Sequence, residues 1–160
     1  MFYPPQEITS EYICEQDLAD IKQAILNAEL DTSAEFRVHI EETCPGDVLR
    51  RASDVFLELD MHKTSRRNAV LFYVALKNRK FAIIPDYGIL EKDTEDFWEG
   101  LKMEMLDYFR ENNFSDGLIH GIGQAAEFLR RVFPYHRGDV NELPDDVSFG
   151  KIEPGHTSMS

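Results

Sequence analysis

The eight-residue run Ala69-Val70-Leu71-Phe72-Tyr73-Val74-Ala75-Leu76 is apolar at odd and even positions alike. Successive side chains of a strand point to opposite faces, so such a run reads as a central strand covered on both sides. It is the longest apolar run and is far shorter than the roughly 18 residues a membrane helix needs. The chain must therefore supply covering elements from its own flanks.

The flanks do supply them. Residues 15–28 place Leu18, Ile21 and Ile25 on one helical face. Asp31-Thr32-Ser33 breaks that pattern, and Phe36, Val38 and Ile40 then alternate with Arg37, His39 and Glu41. A period of two indicates a half-buried strand. Pro45-Gly46-Asp47 opens a second helix, at 46–59, carrying Val48, Ala52, Val55, Phe56 and Leu59. After the apolar run, Lys77-Asn78-Arg79-Lys80 is short enough only for an antiparallel hairpin into a strand at 80–85. The helix between the first two strands allows a parallel crossover. Helices at 94–111 and 116–132 follow, with Asp93 or Thr94 capping the first and Ser115 the second. The fold class is α/β, a small mixed β-sheet of at least three strands sandwiched by helices. Residues 1–12, with Pro4 and Pro5, read as an arm; 13–150 as one domain ending in an irregular acidic segment; and 151–160 as a disordered tail.

A length of 160 residues suits one domain. The net charge of −13 argues against nucleic acid and anionic lipid as partners, both of which select basic surfaces. It favours a cationic partner such as a divalent metal ion or a basic peptide. Cys14 and Cys44, the only cysteines, fit no metal spacing and no disulfide framework. The start, Met1-Phe2-Tyr3-Pro4-Pro5, lacks the charged and apolar regions of a secretory signal. These features lead us to expect a cytoplasmic protein with two reduced thiols and no membrane association.

Topology then brings distant residues together. If the first two strands are parallel, their N-terminal ends share one edge of the sheet, and the hairpin returns the end of the third strand to that edge. Three loops meet there: Asp31-Thr32-Ser33-Ala34-Glu35, Arg67-Asn68 and Pro85-Asp86-Tyr87-Gly88. Glu35 and Asp86 contribute carboxylates; Thr32, Ser33 and Asn68 contribute neutral oxygens. Hard divalent cations take such oxygen ligands, and flexible loops suit calcium better than magnesium. The expected metal set is Glu35, Asp86, Ser33 and Asn68, joined by Asp139 or Asp145 of the acidic segment.

These segments also resemble the TPM domain family, named for thylakoid-lumen, photosystem-repair and acetylcholine-receptor-modulating members. Thr32-Ser33-Ala34-Glu35-Phe36 is similar to the family's lead-in to its first strand, and Asn68-Ala69-Val70-Leu71 to its N-G-V-L motif. Phe81-Ala82-Ile83-Ile84-Pro85-Asp86-Tyr87-Gly88-Ile89 resembles the strand and glycine-bearing loop that follow. Phe97-Trp98, Phe109-Arg110 and Asp116-Gly117-Leu118 resemble its two closing helices. The likeness spans residues 12–133, and 138–145 resembles the tail of a soluble bacterial branch. Ala69 replaces the common Gly, and Asp86 stands where membrane-anchored members often have Gly. The resemblance implies an α/β/α sandwich, a divalent-metal site at the loop cluster and, for some plant members, acid phosphatase activity.

Other chemistries find less support. His39, His62, His120, His136 and His156 show no zinc spacing, and His39 and His120 read as surface residues. No G-x-S-x-G elbow is present. Gly117, Gly121 and Gly123 read as a helix-packing face. Phe97, Trp98, Leu101, Met105 and Phe109 read as core. The expected function is a divalent-metal-binding accessory or interaction module, with a protein partner. The competing reading is metal-assisted hydrolysis of phosphate esters, without an assigned catalytic residue.

Overall fold

The computed structural model describes residues 12–136 and 147–150. The expected N-terminal arm falls almost wholly outside them, as do the 151–160 tail and residues 137–146. Tyr12, at the end of the expected arm, packs edge-on against Phe114 at 5.9 Å between ring centroids.

Helix α1 (Glu15–Asp31) leads to strand β1 (Glu35–Glu41), helix α2 (Val48–Glu58) and a 3-10 turn (Met61–Lys63). Strands β2 (Ala69–Ala75) and β3 (Lys80–Pro85), a single-turn helix α3 (Tyr87–Leu90), and helices α4 (Glu95–Arg110) and α5 (Phe114–Leu129) follow. Strand β4 (Val147–Phe149) completes the order. The sheet runs β3-β2-β1-β4, with β1 parallel to β2 and β4, and β2 antiparallel to β3. The parallel crossover and the hairpin are thus as expected from the connections. β4 and α3 are additions the sequence patterns did not reveal.

Alternation within the strands divides the interior into two layers. Phe36, Val38, Ile40, Val70, Phe72 and Val74 face α1, α4 and α5 in the larger core. Leu71, Tyr73, Ala75 and Ala82 face Ala52, Val55 and Phe56 of α2 in the smaller one. Every residue of β2 is buried, as expected of a strand covered on both sides. The architecture is a three-layer α/β/α sandwich.

Several local expectations are corrected. Thr94 is the N-cap of α4, but its hydroxyl donates to the Ile89 carbonyl at 3.2 Å and accepts the Trp98 indole N–H at 2.9 Å. It ties α4 to α3 instead of closing a helix end. Ser115 does not cap α5; Asn113 holds that position and Ser115 lies in the first turn. Phe97 is only partly buried and stacks on Phe128 at 3.9 Å. Of the three glycines, Gly117 and Gly121 sit where a Cβ would strike Phe109 and Met105, whereas Gly123 faces open space. His39 is fully buried: Ser148 and Gly150 hydrogen-bond its ring and Tyr73 of β2 stacks on it, on the face of β1 that looked polar.

Candidate metal centre

The N-terminal edge of β1 and β2 meets the end of β3 through backbone hydrogen bonds. Glu35 N–H donates to Asn68 O at 3.2 Å, and Asp86 N–H donates to Ala69 O at 2.9 Å. Glu35 pairs in register with Ala69. Glu35 and Asp86 therefore flank Ala69 on neighbouring strands, about 10 Å apart at two interstrand spacings. Strand alternation places both on the face of Ala69, which is fully buried in the smaller core. Both are buried, at 4% and 5% exposure.

The connecting loops are built for close approach. Gly88 N–H donates to Arg67 O at 2.9 Å, and a Cβ on Gly88 would lie 2.2 Å from Arg66 O and 2.6 Å from Arg67 O. Only glycine lets the chain pass so near those carbonyls. Arg67 itself has φ of 51°, a left-handed conformation that costs energy for a residue with a Cβ. Such strain gathers where surrounding structure fixes a function.

Asp86 begins α3 and accepts Tyr87 N–H at 2.7 Å. Its two carboxylate oxygens receive the Arg67 guanidinium fork, Nε at 2.7 Å and Nη2 at 2.8 Å. The Asp86 hydrogen bond raises the Arg67 pKa further above its ordinary range. Arg66 Nη1 donates to Ser33 Oγ at 3.1 Å, and Asn68 Nδ2 donates to Ser33 O at 3.3 Å. Thr32, in contrast, turns inward: its hydroxyl donates to Phe133 O and accepts Ala34 N–H at 3.2 Å.

The structure thus gathers the expected loops, linking Ser33 to Asn68 and placing Glu35 and Asp86 astride Ala69. It adds side-chain bonds from Arg66 and Arg67, which the sequence places near that edge without assigning them to the metal set. Asp139 and Asp145 lie outside the described residues. Among the described residues, no group of three or more His, Cys, Asp or Glu side chains gathers to hold a metal. A cation here would draw on a carboxylate pair and neutral oxygens. The donor chemistry fits a hard cation, and Asp86 already binds one positive group with both oxygens. Arg67 is 47% exposed, so water screens that pair.

A three-layer sandwich with this loop junction defines the class, and comparison with known sequences gives the family. A model of the TPM domain matches residues 9–128, and the chain belongs to the TPM domain family. Among solved structures it is similar to the NMR structure of BA42 from the psychrophilic bacterium Bizionia argentinensis, at 39% identity and a TM-score of 0.82. That match covers 88% of this chain and 97% of BA42. No curated protein matches the chain. Among the described residues, no helix is long and apolar enough to cross a membrane.

Proposed function

We propose that this TPM domain is a divalent-cation-binding accessory or interaction module. Asp86 and Glu35 are the anionic ligands, Ser33 and Asn68 contribute oxygen, and Asp139 or Asp145 adds to the set. The observation supporting this most is the buried Asp86 carboxylate, both of whose oxygens are engaged by one half-exposed cation from a strained loop. A divalent ion replaces the Arg67 fork there, exchanging one positive group for another. Loop-borne ligands favour calcium over magnesium, which demands tighter octahedral geometry. The acidic surface, at −13, suits a basic protein partner and disfavours nucleic acid and anionic membranes. With the two free thiols it supports a cytoplasmic role.

The second reading is phosphate-ester hydrolysis. What favours it is the presence of two guanidinium groups, Arg66 and Arg67, at the same junction as the carboxylates. Arginine forks are suited to phosphate oxygens, and a bound cation polarises the ester. Calorimetric titration of calcium and magnesium into metal-free protein tests the first reading. A saturable calcium isotherm, stronger than that of magnesium, is expected; no heat of binding from either ion contradicts it. A phosphatase assay with the ion present then decides between module and enzyme.

A further inference from the structure

The smaller core contains a polar network that the proposed metal centre does not use. His39 of β1 lies opposite Ser148 in the β1–β4 register and is fully buried. Its Nδ1 lies 2.6 Å from Ser148 Oγ, and its Nε2 lies 2.7 Å from Gly150 O. One neutral tautomer satisfies both contacts: Nε2–H donates to Gly150 O, and Nδ1 accepts the Ser148 hydroxyl proton. A single side chain of β1 thus grips β4 by a side chain and by a main-chain carbonyl. We propose that His39 is a proton-sensitive latch, holding β4 to the sheet edge while neutral and releasing it on protonation.

The neighbours of the ring decide the direction. A proton on Nδ1 turns that atom into a donor, so Ser148 Oγ must accept and direct its own proton elsewhere. The other acceptor recorded for that hydroxyl is Val38 O, at a distant 3.5 Å. The charged ring would also be sealed from water, and burial is the largest influence, lowering the His39 pKa from its usual 6.5. Glu41 opposes this from 3.3 Å, but its carboxylate already receives Arg51 Nε at 3.0 Å, Arg51 Nη2 at 2.5 Å and Tyr73 OH at 2.5 Å. From α2, Arg51 adds a positive charge that disfavours a second one, with Glu58 3.8 Å from Arg51. Arg37 stands two residues before His39 on the same face of β1. From β2, Tyr73 stacks on the ring at 6.0 Å and stays neutral, its phenol pushed up by burial and by Glu41.

The sign follows. A histidine with a lowered folded-state pKa contributes its full stabilisation above pH 6.5, and loses it progressively as the pH falls below that value. β4 is three residues long and lies at the edge of the sheet, so its release is a local opening and not loss of the fold.

Amide hydrogen exchange on the whole chain tests the latch through Gly150, whose N–H donates to Ile40 O at 2.8 Å. Its protection factor should fall about tenfold or more between about pH 7.5 and about pH 5, while β2 amides keep theirs. The fall should begin near pH 6.5, and the ring of His39 followed by NMR should titrate below that value. His39→Gln should abolish the pH dependence, and Ser148→Ala, by removing the donor to Nδ1, should move the midpoint to higher pH. A flat Gly150 profile in the wild type, or an equal fall in His39→Gln, overturns the proposal. If His39→Gln does not fold, a ring titration at or above pH 6.5 in the wild type, or an unmoved Ser148→Ala ring-titration midpoint, overturns it as well.

Discussion

Gly88 shows how much one residue can decide at the loop junction. A methyl group there would meet two backbone carbonyls that cannot swing aside, at 2.2 and 2.6 Å. Gly88→Ala should therefore cost at least about 2 kcal/mol, read as a lower denaturant midpoint, and should weaken calcium binding by displacing Asp86. An unchanged midpoint would mean that the loop relaxes freely. Glu41 makes a second residue-scale prediction. Burial alone would raise its pKa, but hydrogen bonds from Arg51, His39 and Tyr73 outweigh that and hold it at about 2, against 4.5 unfolded. Its contribution, of order 3 kcal/mol, is present above pH 4.5 and drains away as the pH falls towards about 2. Glu41→Gln should flatten the stability profile over that acid window, as measured by urea unfolding at stepped pH. The residues of the junction were partly legible in sequence. Asp86 and Gly88 carry a turn signature, and Glu35 sits at a strand start. Arg67 was not legible as a partner, because its reach depends on a left-handed backbone that no local pattern announces. His39 was misread for a related reason: alternation fixes a face but not what surrounds it, and its surroundings came from Ser148 and Gly150 at β4 and from Tyr73 of β2.

At the scale of elements, β1, β2 and β3 were readable because burial on one face or both leaves a period in the sequence. β4 has three residues and no such period, so only its pairing with β1 reveals it. Helix ends were less legible than helix bodies, since Thr94 and Ser115 spend their hydroxyl groups or positions on tertiary structure. The packing of α4 on α5 separates glycines by role. Gly117 admits Phe109 and Tyr108, where a Cβ would stand 2.6 and 2.9 Å from their atoms, and Gly123 meets nothing within 4 Å. Gly123→Ala should stabilise the protein by about 0.8 kcal/mol through helix propensity alone. Gly117→Ala should lower stability instead, because overpacking costs more than propensity returns. Thermal or urea unfolding of the two variants checks the contrast; equal effects would show that the α4–α5 contact does not depend on Gly117.

For the whole molecule, the acidic surface and the sheet order work together. A charge of −13 favours cations in general, and the topology brings three loops together at the edge where Asp86 lies buried, which is where the proposed function puts a cation. The sandwich itself was implied by one apolar run and its flanks, while the engagement of Asp86 by Arg67 emerged only with the folded chain. That engagement also changes how the site should be probed. Asp86→Ala would remove both the acceptor for Tyr87 N–H and the partner of Arg67, destabilising the metal-free protein. Asp86→Asn keeps an acceptor oxygen while removing the negative charge. The direct measurement is the melting temperature of the wild type and of Asp86→Asn, each with and without saturating calcium. A ligand that binds only the folded state raises the wild-type value with concentration, and the account predicts that this rise is lost in Asp86→Asn. An equal calcium-dependent rise in both proteins would place the cation elsewhere and contradict the assignment.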